Sequence, residues 1–162
     1  MSLFSKIIIG ILLTISIPSI IVMGLYTLTQ LNEGDLSNDY IGIQQILLDN
    51  SAFENSPRDA VAFNKVTLDK NLLIIEVSYG GGCRQHFFAL IGSNVFMESY
   101  PVQTNIVLSH NANDDPCEAL LTETLNFDLS PLKIAYQEAY SVSSGSIIIH
   151  LEGVENSILY EF

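Results

Sequence analysis

The sequence predicts a mainly β protein: an exported domain built as an antiparallel β-sandwich or barrel, preceded by one N-terminal transmembrane helix. Three observations predict this class. Residues 7–29 form a run of 23 residues without a charged side chain. From Val61 onward, apolar and polar side chains alternate with the period of two that marks half-buried strands. Turn-forming residues recur between these segments, as they do in small sandwiches and barrels.

The uncharged segment is long enough to cross a bilayer as a helix. At about 1.5 Å per residue, residues 7–29 cover roughly 30 Å of hydrocarbon. Lys6 precedes the span and acidic residues follow it, so the positive-inside rule keeps residues 1–6 in the cytoplasm. We therefore expect a single-pass protein of the cell membrane, with a linker at residues 30–38 and an extracytoplasmic domain at residues 39–162. A cleaved signal peptide is the alternative, although no A-x-A cleavage site follows the span.

The charge of the chain limits its partners. Six basic residues against 18 acidic ones give a formal net charge of -12, and such a surface repels the phosphate backbone of nucleic acids. We expect contacts with the lipid bilayer through residues 7–29 and with an unknown protein or small ligand through the exported part. No nucleic acid partner is expected.

The elements of the exported domain follow from the pattern along the chain. Residues 39–53 carry apolar side chains at helical spacing and predict a short helix. Two hairpins should follow, with turns at Asp69-Lys70-Asn71 and at Gly92-Ser93. Their strands are expected at residues 61–68 and 72–79 for the first hairpin, and at 86–91 and 94–100 for the second. Further along, the pattern predicts strands at residues 102–110, 121–129, 147–151 and 158–162, and one or two helical turns at 132–140.

Two segments stand out because each holds one Cys and one His: residues 79–86 (YGGGCRQH) and residues 110–117 (HNANDDPC). Glycines at a strand end let the backbone bulge or turn sharply and so re-aim the following side chains, and this run has three of them: Gly80, Gly81 and Gly82. The stretch that ends at Asp115 is rich in Asn and Asp. We expect a polar turn there rather than a calcium site, because the EF-hand pattern is absent.

The cysteines have a structural interpretation. Two cysteines in an exported domain pair where the compartment is oxidising. A bond between Cys83 and Cys117 would close a loop of about 34 residues and contribute roughly 3 to 4 kcal/mol in the chain-entropy model. His86 and His110 would then be partly buried near the bridge, His110 as a core histidine on the apolar face of its strand.

The alternative interpretation is a zinc or copper site formed by Cys83, His86, His110 and Cys117. Two thiolates and two imidazoles are donors that these metals prefer and would complete a tetrahedron, whereas oxidation would remove both thiolates. A third interpretation makes Cys83 a nucleophile with a histidine base, but no nucleophile elbow or family signature accompanies it. The sequence therefore favours a binding or structural module over an enzyme, with no cofactor outside the metal alternative.

At these residues the chain resembles small exported bacterial proteins of unknown activity, among them NigD-like lipoproteins. They carry a Gly-Gly-Gly-Cys-x-x-His-x-Phe segment and a later His with a downstream Cys. The matching positions here are residues 80–88 and 110–117, and residues 121–132 are similar as well. The resemblance implies an extracytoplasmic β-rich domain without an established activity. This chain has no lipid-attachment Cys near its N-terminus, which leaves residues 7–29 as the expected anchor.

Overall fold

Nine strands and two helices make up residues 42–162, the part of the chain that the computed structural model describes. The strands are β1 (Ile43–Gln45), β2 (Leu47–Leu48), β3 (Ala62–Asp69), β4 (Leu72–Gly81), β5 (Phe87–Gly92), β6 (Val102–Asn111), β7 (Ala119–Asp128), β8 (Ser146–Leu151) and β9 (Ile158–Glu161). The helices are α1 (Asn50–Asn55) and α2 (Ser130–Tyr140). The predicted mainly β class is therefore confirmed.

The predicted membrane span at residues 7–29, the cytoplasmic residues 1–6 and the linker at residues 30–38 lie outside the described residues. Between positions 42 and 162, neither helix has the length and apolar character needed to cross a membrane.

The strands form two open sheets. The four-stranded sheet has the order β1-β7-β4-β3, and the five-stranded sheet has the order β2-β5-β6-β8-β9. The predicted antiparallel arrangement is wrong because both sheets are mixed, and the predicted barrel is not formed because neither sheet closes within this range. Three neighbouring pairs run parallel, namely β1 with β7, β2 with β5 and β6 with β8. Parallel neighbours need a long crossover, and the β6–β8 pair has one that contains β7 and α2.

The core lies between the two sheets and follows the predicted alternation. In β4 every second side chain is buried, including Leu73, Ile75 and Val77, and β8 shows the same period with Ile147 and Ile149. Burial of alternate side chains on both sheets removes a continuous apolar layer from water, at about 25 cal/mol per Å² of apolar surface. This layer fixes the register of the central strands, which in turn positions the loops at their ends.

The predicted helix at residues 39–53 is wrong over most of its length. Residues 43–48 instead form β1 and β2, and the helix is limited to α1, which Asp49 caps by accepting a hydrogen bond from the backbone N–H of Ala52 at 2.9 Å. Ile46 is buried between β1 and β2. Its backbone N–H donates to Asp128 at the end of β7, while β2 pairs with β5. The segment thus crosses from one sheet to the other, and that long-range pairing overrides its local helical spacing.

The second predicted hairpin is also wrong. β5 is present, but residues 94–100 form a loop, and the antiparallel partner of β5 is β6. The other sequence-predicted elements are confirmed. These are the β3–β4 hairpin with its turn at Lys70 (φ 55°), the long strands β6 and β7, helix α2, and the final antiparallel pair β8–β9.

Candidate functional site at the disulfide-linked loops

The Cys and His segments meet at one end of the sandwich, where two loops cross from one sheet to the other. Residues 82–86 connect β4 to β5, and residues 112–118 connect β6 to β7. We call these two segments the disulfide-linked loops. Because β4 pairs with β7 and β5 pairs with β6, both loops begin and end beside each other.

The Cys83–Cys117 disulfide joins the loops, with 5.7 Å between the two Cα atoms. Its position follows from the register of the β4–β7 pair, whose last partners are Gly81 and Ala119. Cys83 lies two residues after Gly81, and Cys117 lies two residues before Ala119. The two cysteines therefore face each other just past the end of the paired strands. The predicted bridge is therefore present, and it closes a loop with a sequence separation of 34 residues.

The Asp115 carboxylate binds the backbone of both loops. Its Oδ2 atom accepts hydrogen bonds from three successive N–H groups, those of Gly82, Cys83 and Arg84, at 2.9, 2.9 and 2.8 Å. Its Oδ1 atom accepts a fourth from the N–H of Cys117 at 2.9 Å. Successive backbone N–H groups that converge on one anion form a nest. Here the anion belongs to the protein, so one side chain orients the backbone of both half-cystines.

The environment of Asp115 favours its ionised form. The side chain is only 1% exposed, and burial alone would raise the pKa of the carboxyl group. The hydrogen bonds from the backbone of Cys117, Arg84 and Cys83, together with the contact from His86, outweigh burial and hold the pKa of Asp115 well below its ordinary range. Asp115 is therefore a buried carboxylate at neutral pH.

Asp115 contacts His86, which in turn contacts His110. The Nδ1 atom of His86 is 2.9 Å from the Nε2 atom of His110, and the Nε2 atom of His86 is 3.3 Å from Oδ2 of Asp115. His110 also contacts the segment before β3, because its Nδ1 atom lies 3.1 Å from the backbone oxygen of Asp59. Both histidine side chains are shielded from solvent, with 2% of the His86 side chain exposed and 1% of His110.

Aromatic rings enclose this histidine pair. Phe88 stacks on His110 with a centroid distance of 4.4 Å and an interplanar angle of 6°, as expected for cross-strand partners in β5 and β6. Tyr79 lies 4.7 Å from the His86 ring, and its hydroxyl donates a 2.8 Å hydrogen bond to Glu123. Burial, followed by that hydrogen bond and the Glu123 charge, raises the pKa of Tyr79 to about 12. Tyr79 is thus a neutral donor in this network.

Gly81 leaves the space that the His86 ring occupies. A Cβ atom at Gly81 would lie 2.6 Å from Nε2 of His86, whereas one at Gly80 would meet no atom within 4 Å. We expect Gly81→Ala to lower the free energy of unfolding by about 1 to 3 kcal/mol, because the enclosed ring cannot move aside without strain. Gly80→Ala is the matched control and should change stability little. Equal denaturation midpoints for the two variants would contradict this explanation.

The structure therefore pairs the residues that the sequence singled out, Cys83 with Cys117 and His86 with His110. Within residues 42–162, however, neither histidine joins the two sulfurs in one group of converging ligand atoms. The sulfur atoms and an Asp115 carboxylate oxygen lie within 4.8 Å of one another. Because the disulfide occupies both sulfurs, neither is a thiolate ligand in this state. The zinc or copper hypothesis stays a prediction for the reduced protein, which elemental analysis of protein purified under reducing conditions would test.

The role of Asp115 was not predicted from the sequence, which indicated only a polar turn and a neighbour of the Cys and His motif at this position. The contact between Tyr79 and Glu123 was not predicted either; these residues lie on neighbouring strands at partner positions offset by two residues. A local signal for Asp115 existed, since its carboxylate binds the N–H of Cys117 two residues later, as Asx turns do. The three N–H groups from the other loop are 31 to 33 residues away and leave no local pattern.

Residues 42–162 thus define a disulfide-linked, mixed β-sandwich. Neither a protein-family model nor a curated protein sequence matches the chain. Among solved structures, its fold is similar to that of a NigD-like immunity protein from Bacteroides caccae. The TM-score is 0.52 at 18% identity, over 74% of this chain and 62% of that one.

Two further solved structures show weaker similarity. A protein of unknown function from Bacteroides vulgatus has a TM-score of 0.46 at 13% identity, over 75% of this chain and 56% of that one. A candidate lipoprotein from Bacteroides fragilis has a TM-score of 0.48 at 11% identity, over 74% of this chain and 67% of that one. The chain spans less than two thirds of the Bacteroides caccae and Bacteroides vulgatus proteins. The resemblance to NigD-like proteins is supported at the level of the fold.

Proposed function

We propose that this protein is a membrane-anchored, extracytoplasmic binding or structural module. Residues 7–29 would be its anchor, and the disulfide-linked loops would form the rigid end of its exported domain. The observation that carries the proposal is the Cys83–Cys117 disulfide, because structural disulfides persist in oxidising compartments outside the cytoplasm.

The loop end has the properties expected of a binding surface on a rigid scaffold. Its interior polar groups are paired through Asp115, so the loops do not depend on a ligand for their shape. Their outer residues are exposed and polar, and they include Arg84, Gln85, Asn113 and Asp114. Loops held by a scaffold commonly carry recognition. We therefore place the contact with a protein or small ligand on this outer face.

The topology can be tested by labelling single added cysteines in intact cells. Glu155 is exposed in the loop between β8 and β9, so Glu155→Cys in the full-length chain should react with a membrane-impermeant maleimide without permeabilisation. Ser2→Cys lies before the proposed span and is the matched control, which should react only after permeabilisation. A Glu155→Cys protein protected in intact cells would overturn the extracytoplasmic placement.

The disulfide can be tested in the same cells. Alkylation before lysis, followed by electrophoresis with and without reductant, should show the full-length chain with both native cysteines protected. Native cysteines that alkylate freely before reduction would overturn the proposal, because the observation on which it rests would not hold in the cell.

A further inference from the structure

The buried pair of His86 and His110 lies in a continuous line of three contacts. At one end, Nδ1 of His110 meets the backbone oxygen of Asp59 at 3.1 Å. In the middle, Nε2 of His110 meets Nδ1 of His86 at 2.9 Å. At the other end, Nε2 of His86 meets Oδ2 of Asp115 at 3.3 Å. All four ring nitrogens of the pair are therefore engaged.

Both ends of this line are acceptors. The backbone carbonyl of Asp59 has no proton, so Nδ1 of His110 must donate to it. Oδ2 of Asp115 already accepts three backbone N–H bonds and belongs to an ionised carboxylate, so it can only accept from His86. The middle contact needs one more proton. Three hydrogen bonds thus require three protons, whereas two neutral imidazole rings carry two.

We propose that His86 and His110 share this third proton, so that the pair is a buried monocation that neutralises the Asp115 carboxylate. The proposal does not depend on the proposed function. In a neutral pair, one contact would join two lone pairs inside an enclosed site, and an unpaired buried acceptor is costly. The site is a proton-binding site that links the disulfide-linked loops to β6.

Apart from Asp115, no charged side chain of the described residues hydrogen-bonds to the rings of the pair. Titratable or charged side chains reach it, or the loops that enclose it, from β4, β7, the segment before β3 and both loops. They are Tyr79, Glu123, Asp59, Arg84 and Asp115. Arg84 is directed away, because its guanidinium donates to the backbone oxygen of Asn113 at 2.8 Å. Phe88 covers His110 with an apolar ring.

Nitrogen-detected NMR of the imidazole rings tests the proposal directly on the full-length chain in detergent. At neutral pH, three of the four nitrogens of His86 and His110 should carry protons. His150 in β8 provides an internal reference, because its half-buried ring contacts Gln103 at the far end of β6 from His110 through Nε2. Two protonated nitrogens in the pair at neutral pH would overturn the proposal. This measurement needs no variant, so a misfolded mutant cannot obscure it.

Discussion

Replacing both cysteines, Cys83→Ser with Cys117→Ser, is expected to lower the free energy of unfolding by about 3 to 4 kcal/mol. The reason is the length of the closed loop, 34 residues, because a longer loop leaves the reduced unfolded chain with more conformational entropy. The fold itself should survive, since the β4–β7 register extends to Gly81 and Ala119 without the bridge. Denaturant unfolding of the full-length chain in detergent, followed by circular dichroism, measures the difference.

Chemical reduction is the control for the double variant. A dithiol reductant should destabilise the wild-type chain by a similar amount and should leave the double serine variant unchanged. A wild-type midpoint that does not respond to reductant would show that the bridge does not contribute this stability. If the variant alone is destabilised, its serines rather than the lost bond are responsible.

Asp115→Asn is expected to have a second large effect. The amide keeps the shape of the carboxylate but removes its charge, and its NH2 group must face backbone N–H donors or His86. Buried donors that lose their acceptor cost free energy, and hydrogen bonds to charged groups are the stronger ones. We expect the melting temperature to fall by roughly 10 °C or more. Asp114→Asn is the matched control, because Asp114 is exposed and adjacent, and its variant should melt close to the wild type.

Protonation of the Asp115 carboxylate at acid pH should lower the free energy of unfolding. Because the folded-state pKa of Asp115 is depressed below that of the unfolded chain, its contribution is fully present above the ordinary aspartate range, near pH 4. That contribution is lost as the pH falls toward the folded-state pKa. Asp115→Asn should therefore lose less stability on acidification than the wild type does. If the wild type and Asp115→Asn lost equal stability on acidification, this would argue against a buried, ionised Asp115.

Several elements were predictable from local pattern alone. β4 carries the alternation of a half-buried strand, and the turn at Lys70 joins β3 to β4 where turn residues interrupt that alternation. Helix α2 has Pro131 in its first turn, where the missing N–H is unimportant. In each case the residues that decide the conformation are close in sequence, so the local pattern and the final structure agree.

The failures share a different cause. Residues 43–48 have helical spacing, yet they pair with β7 and β5, whose partner residues are roughly 40 to 80 positions away. The loop at residues 94–100 resembles a strand, but β6 occupies the edge of β5 that this loop would have needed. Only one partner can bind each edge of a strand, and competition between distant segments cannot be evaluated from a local window.

By itself, the sequence determined the mainly β class, the long central strands and a chemically unusual pair of Cys and His segments. Alternation, turn residues and composition act over a few positions, which is why they could be interpreted without coordinates. Only the tertiary structure decided that Cys83 lies opposite Cys117, that Asp115 binds three N–H groups of the other loop, and that His86 meets His110. These contacts depend on the register of paired strands, and register is set by burial of the whole core.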